Sequence, residues 1–207
     1  MDKEFLGPYL LRVSGWTEER YFAEAPESQI VEFEDGDLIV PSPVNIRHQD
    51  LVGFLSFLLR GYVGSKNLGR VFNGPAVVRL RPGLDYEPDI FVVLIEQLGH
   101  VGTQYVSGGP AFVVEVISPG GRSYDLRSKT DNYRKHGVRE YWAIEPETRT
   151  LHQHNLLPGE RNFYVAKQRH TGRVESTVLP GFGIDVSWLW QEPLPEGFSL
   201  LEELLRS

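Results

Sequence analysis

The run Phe112-Val113-Val114-Glu115-Val116-Ile117 sets one carboxylate among five side chains that all favour burial. A continuous apolar run of this length reads as a strand covered on both faces. Asp89-Ile90-Phe91-Val92-Val93-Leu94-Ile95 is a second such run. An ionised carboxylate inside such a strand costs on the order of several kcal/mol unless a cation or good hydrogen bonds offset it. The same six residues therefore predict a central strand and ask what shares the Glu115 pocket.

Asp89 is the natural companion. If strands 89–93 and 111–115 pair antiparallel with Asp89 opposite Glu115, Val93 meets Ala111 and the turn centres on Gly102. That turn falls in a connection rich in glycine (Gly99, Gly102, Gly108, Gly109). Directly opposed residues project to one face with Cβ atoms roughly 5 Å apart. Two carboxylates so close repel unless they are protonated or bridged by a metal.

Downstream, residues 124–136 read as a helix with Leu126, Thr130 and Tyr133 on its inward face. Lys129 shares that face, while Arg127, Asp131 and Arg134 point elsewhere. Lys135 and His136 fall in the last turn, and Gly137 supplies the left-handed cap. Two carboxylates, a lysine and the backbone carbonyl of Val116 suit Mg²⁺ or Mn²⁺, which take oxygen ligands and keep several waters. Phosphodiester hydrolysis is the reaction such a site serves. The plainer reading of the same spacing is a structural ion pair between Glu115 and Lys129.

Further out, residues 29–40 form a hairpin turned at Asp35-Gly36. Asn45 or a neighbour opens a helix carrying Leu51, Phe54, Leu55, Leu58 and Leu59, which Gly61 and Gly64 are expected to end. Strands follow at 70–80, 138–145, 149–155, 162–168 and 174–179, with a closing helix at 198–206; the turn Glu145-Pro146-Glu147-Thr148 joins the second and third of these strands. The class is α/β (α+β), a mixed β-sheet core flanked by helices with additional β-hairpins, in a single domain spanning 1–207.

The chain has 207 residues, 41% of them apolar, which is enough for one sizeable core. It contains no cysteine, so disulfides and thiolate metal sites are excluded. No segment has the roughly 18 consecutive apolar residues of a membrane span, and Met1 to Val13 lack the pattern of a signal peptide; a cytoplasmic protein is expected. The net charge of −7 argues against coating nucleic acid by bulk electrostatics. Between Arg122 and Glu140, however, six basic residues face three acidic ones. Arg122, Arg127 and Arg134 could belong to a phosphate track there, or to an ordinary solvated helix face.

At these residues the chain resembles the Uma-two family within the PD-(D/E)XK restriction-endonuclease-like superfamily. The matching text is Glu87-Pro88-Asp89-Ile90 and the stretch from Phe112 to Thr150, through Ser118-Pro119, Asp125-Leu126, Lys129, Tyr133, Gly137-Val138 and Tyr141-Trp142. Weaker matches are Val31-Glu32 through Gly36-Asp37-Leu38, and His48; the similarity spans roughly 30–185. The resemblance implies metal-dependent DNA cleavage, often by homodimers, with Asp89 and Glu115 as the acids. The superfamily's usual lysine position, two after the second acid, is Ile117 here, and Lys129 on the following helix stands in. Glu32 and His48 match family positions that contribute to the site.

Three other readings compete. An inactive nuclease fold kept as a nucleic-acid- or protein-binding module fits the net charge and the displaced lysine. A glycosidase built on Glu32 or Glu34 would need a second carboxyl roughly 5 to 9.5 Å away across a sugar-sized cleft. His152 and His154 share one strand face, as a metal pair or as a plain strand edge. Trp142 reads as core rather than a base-stacking platform.

Overall fold

The computed structural model describes residues 8–26, 29–157 and 163–206. In chain order the strands are β1 (Leu10–Ser14), β2 (Glu32–Glu34), β3 (Asp37–Pro41), β4 (Gly69–Asn73), β5 (Val77–Arg81), β6 (Leu84–Tyr86), β7 (Ile90–Leu94), β8 (Tyr105–Ser107), β9 (Phe112–Val116), β10 (Glu140–Glu145), β11 (Thr150–Leu156), β12 (Tyr164–Arg169), β13 (Arg173–Glu175) and β14 (Gly183–Asp185). The helices are α1 (Glu18–Glu24), α2 (Ile46–Ser65), α3 (Thr130–Lys135) and α4 (Gly197–Arg206), with a π-wound turn at Tyr124–Lys129 running into α3.

Two six-stranded sheets result. The first runs β1-β3-β2-β6-β5-β8 and the second β12-β11-β10-β9-β7-β4, while β13 and β14 form a ribbon of their own. Both sheets are mixed: β9 lies parallel to β10 and β5 parallel to β8, and the other pairs are antiparallel. The expected mixed sheet with helices and added hairpins is what the chain forms.

Alternation along the central strands builds two cores. Ile90, Val92, Phe112, Val114, Val116, Trp142 and Ile144 pack against α2, α4 and the β13–β14 ribbon. Phe91, Val93, Val113, Ile117, Tyr141 and Ala143 face the other way, toward the first sheet and α3. Both faces of the central strands are thus dry, as their unbroken apolar text requires. Glu115 belongs to the second set by parity, so its carboxylate enters the layer between the sheets.

The register of β7 on β9 is the one the sequence implies: Ile90 faces Val114, Phe91 faces Val113 and Val92 faces Phe112, which carries Asp89 to Glu115. The hairpin at Asp35-Gly36 has both turn residues at positive φ, 48° and 97°, as a two-residue turn between twisted strands demands. Asn45 caps α2, its side chain accepting from the His48 N–H at 2.8 Å.

Other expectations are corrected. Residues 70–80 are not one strand: Gly74-Pro75, with no N–H on the proline, ends β4, and β5 continues in the other sheet. The glycine-rich connection after β7 also holds a 3₁₀ turn (Ile95–His100) and β8. Helix α2 does not stop at Gly61 or Gly64. Gly61 sits where α4 crosses, and a Cβ there would lie 2.3 Å from Leu201 Cδ2, so that glycine serves close packing rather than termination. The buried side chains of residues 124–135 are Tyr124, Asp125, Lys129 and Tyr133, while Leu126 packs half-buried against the same core and Thr130 is half-buried; Lys129 keeps its place on the inward face. Gly137 takes the expected positive φ of 81°. The strand expected from 162 begins at Tyr164, residue 162 lying outside the described residues, as do 1–7 of the N-terminal segment. The strand expected at 174–179 is shorter, ending at Glu175.

Glu140, at the start of β10, is wholly buried and accepts from Trp142 Nε1, Gln153 Nε2, Ser176 Oγ and the N–H groups of Thr177 and Val178, at 2.6 to 3.2 Å. One carboxylate thereby ties the segment after β13 to the central sheet. Trp142 is core, as expected.

Candidate active site

Two of the chain's crossings between the sheets, at residues 73–76 and at Glu87-Pro88-Asp89 between β6 and β7, lie side by side. The crossings are stitched together, Asn73 Nδ2 and the Gly74 N–H both donating to the Asp89 carbonyl at 3.1 and 3.3 Å. Asp89 thus stands on a fixed corner, beside the end of β9. The two strands also hold each other's acids. The Val116 N–H donates to Asp89 Oδ2 at 2.7 Å, and the Asp89 N–H to Glu115 Oε2 at 3.3 Å.

The structure brings Asp89, Glu115 and Lys129 together. Lys129 Nζ lies 2.8 Å from Glu115 Oε1, 2.8 Å from Glu32 Oε1 and 3.6 Å from Asp125 Oδ1. The Tyr133 hydroxyl donates to Glu115 Oε1 at 2.8 Å. Glu32, from β2 in the first sheet, and His48, from α2, also reach the site. His48 Nε2 is 3.0 Å from Asp89 Oδ1, while its buried Nδ1 has no partner. Glu32, His48, Asp89, Glu115 and Lys129 line a cavity of about 50 Å³ together with Glu87, Asp125, Val116 and Ser118.

Two of the acids were not singled out by sequence reasoning. Asp125 precedes Lys129 by one helical repeat, so an i, i+4 acid–base pair on a buried helix face is the signal that would have found it. Glu87 sits two before Asp89 and is buried. It accepts from Tyr21 Oη at 3.0 Å and the Val31 N–H at 3.2 Å, linking α1 and β2 to the site.

Charge is out of balance here. Glu32, Glu87, Asp89, Glu115 and Asp125 line the cavity with Lys129 as their one lysine or arginine. Burial pushes the Glu115 carboxyl up, the Lys129 ammonium opposing it and the Asp89, Asp125 and Glu32 charges adding to it. Asp125 is drawn up the same way. Glu87 is pushed up to about 8, by burial and then by Glu32. Burial works against charge on Lys129 too, but Glu115 and Glu32 outweigh it and hold the amine protonated well above its ordinary range.

Mg²⁺ or Mn²⁺, the ions expected from the sequence, suit such a donor set: most of the side-chain ligands on offer are carboxylate oxygens, and the acids outnumber the cations. Among the described residues no three Asp, Glu or His side chains are already spaced as a metal cage. The space between Glu32 and Glu115 is taken by Lys129 Nζ.

Other sequence candidates lie elsewhere. Arg122 pairs with Glu145 and Arg134 with Asp131, so both guanidinium groups face carboxylates; Arg127 is exposed. His152 Nε2 lies 3.3 Å from Glu145 Oε2, and the His154 ring stacks on Tyr141, 5.6 Å between centroids. They do not converge on a common point. Among the described residues no helix is long and apolar enough to cross a membrane.

Comparison with known proteins agrees with this fold. The chain superposes on the crystal structure of a protein from Anabaena variabilis described as "a putative nuclease belonging to DUF820", with a TM-score of 0.67 and 15% identity over 82% of this chain and 94% of that one. At that identity the likeness concerns the fold alone. No curated protein sequence matches the chain. The sequence profile of Uma2, described as "Putative restriction endonuclease", matches residues 18–187. Covering most of the chain, that match makes this protein a member of the Uma2 family.

Proposed function

We propose that this protein is a divalent-metal-dependent endonuclease that hydrolyses DNA phosphodiester bonds, with Asp89, Glu115 and the Val116 carbonyl as ligands for Mg²⁺ or Mn²⁺. The observation that carries the reading is the pair of carboxylates laced together across β7 and β9, with a buried ammonium on one of them. A bound ion would lower the pKa of a water and neutralise charge on the phosphate. The protein's own groups supply positioning. His48 and the Val116 N–H fix the two Asp89 oxygens. Tyr133 and Lys129 fix one Glu115 oxygen and the Asp89 N–H the other. Lys129 is the cationic side chain at the acids and is the group to stabilise charge developing on the phosphate. Family membership supports nucleic acid as the substrate class.

The test is incubation of supercoiled and linear DNA with purified protein and Mg²⁺ or Mn²⁺. Nicking is expected in the wild type, and Glu115→Gln should reduce it by at least about 10²-fold while the circular dichroism spectrum is kept. A DNA panel left intact at millimolar Mn²⁺ would dispose of the enzyme reading. One observation favours the rival, a binding module without activity: Lys129 already satisfies Glu32 and Glu115 at 2.8 Å each, a set of contacts that is complete without a metal. For that protein, calorimetry shows no Mn²⁺ uptake that depends on Glu115.

A further inference from the structure

Lys129 holds the position where an incoming cation would find most negative charge. Its ammonium contacts oxygens from three different elements: Glu32 on β2, Glu115 on β9 and Asp125 on the π-wound turn. The rings of Tyr86 and Tyr124 stand 5.5 and 5.6 Å from the same nitrogen, and the side chain is 7% exposed. The amine is therefore enclosed by anionic oxygens and aromatic faces, which is the environment of a bound cation rather than of a lysine reaching for water.

We infer that Lys129 is the resident cation of this site, and that a divalent ion enters by exchange with its ammonium, so that Lys129 limits metal uptake. The inference rests on the reading of Asp89 and Glu115 as metal ligands. Glu115 Oε1 already receives Lys129 and Tyr133, so an ion bound to that oxygen would share it with the ammonium. Two cations so placed repel, and the lysine yields because its four-carbon stem can swing while the acids stand on strands. The displacement explains how a cavity with five acids can hold no ready-made three-ligand cage among its described residues. The oxygens are arranged around an ammonium, and they regroup when it leaves.

Calorimetric titration with MnCl₂, without nucleic acid, tests this on the wild type, Lys129→Gln and Glu115→Gln. Glutamine keeps an N–H donor for Glu32 and Glu115 but carries no charge. The expected result is Mn²⁺ affinity at least tenfold higher in Lys129→Gln than in the wild type, and loss of that binding in Glu115→Gln. Equal or weaker affinity in Lys129→Gln overturns the inference and leaves the metal reading standing. No Mn²⁺ uptake by either protein overturns both. A second measurement uses the wild type alone and does not depend on a variant folding. Exchange should raise acylation of the Lys129 amine by a soluble reagent, read by peptide mass spectrometry, when Mn²⁺ is added; an unchanged yield at saturating Mn²⁺ counts against it.

Discussion

Tyr133 donates its hydroxyl to the Glu115 oxygen that Lys129 also holds, and it is wholly buried. Removing that donor leaves the carboxylate with two partners and the ring packing in place. Tyr133→Phe should therefore lower unfolding free energy by about 0.5–1.5 kcal/mol and reduce DNA cleavage with little change in KM. Steady-state kinetics beside urea denaturation would show both effects. His154 offers a prediction remote from the site. Its ring lies between Tyr141 and Tyr164, its Nε2 has no partner, and burial, then the His152 charge, hold its pKa down to about 4. The ordinary value is about 6.5, so the unfolded chain takes up a proton that the folded chain refuses. The stability gained is complete above pH about 6.5 and is lost as pH falls from there toward 4. His154→Phe should flatten that part of the profile; an unchanged fall in urea midpoint between pH 7 and 5 would assign it to other groups.

Elements show where local text stops informing. Asn45, the Asp35-Gly36 turn and Gly137 were legible because each acts on its own neighbours through a cap or a positive φ. The β7–β9 register was legible because both strands are buried on two faces and carry one acid each. Gly61 was not, since its reason lies in α4, 140 residues away at Leu201. Nor was the π winding at 124–129, which sets Asp125 and Lys129 inward together and hides Asp125 from a periodicity count. Gly61→Ala tests the packing reading. The gain in helix propensity is about 1 kcal/mol, yet crowding against Leu201 costs about 1–3 kcal/mol, so net destabilisation is expected. Pairing it with Leu201→Ala should give less loss than the sum of the two single changes; strict additivity would show that the two residues do not touch in solution.

At the scale of the molecule, the site is an assembly of both sheets. Glu32 comes from the first, Glu115 from the second, and Asp89 from the β6–β7 connection that passes between them. The first sheet was only partly legible, because β2, β6 and β8 have three residues each, too few for a period to register. Its contribution to the site, Glu32 with Glu87 behind it, was correspondingly faint in the sequence. An ion held by Asp89 and Glu115 should oppose the parting of β7 from β9. At Mn²⁺ a hundred times its dissociation constant, the folded state gains about 2.7 kcal/mol. Thermal unfolding should accordingly move upward with Mn²⁺ in the wild type and stay fixed in Glu115→Gln; a shift of equal size in both would place the ion elsewhere.

The Glu140 clamp bears on how mutational tolerance is read in this family. Five donors face that carboxylate, among them two backbone N–H groups and the indole of Trp142, so glutamine would set an amide against several N–H groups and alanine would strand them all. In a saturation library scored by survival, Glu140 would be as intolerant as Glu115 and would pass for a member of the catalytic set. Only a screen that scores abundance separately from cleavage tells the two acids apart, with Glu140 variants vanishing from the soluble fraction and Glu115→Gln persisting there inert.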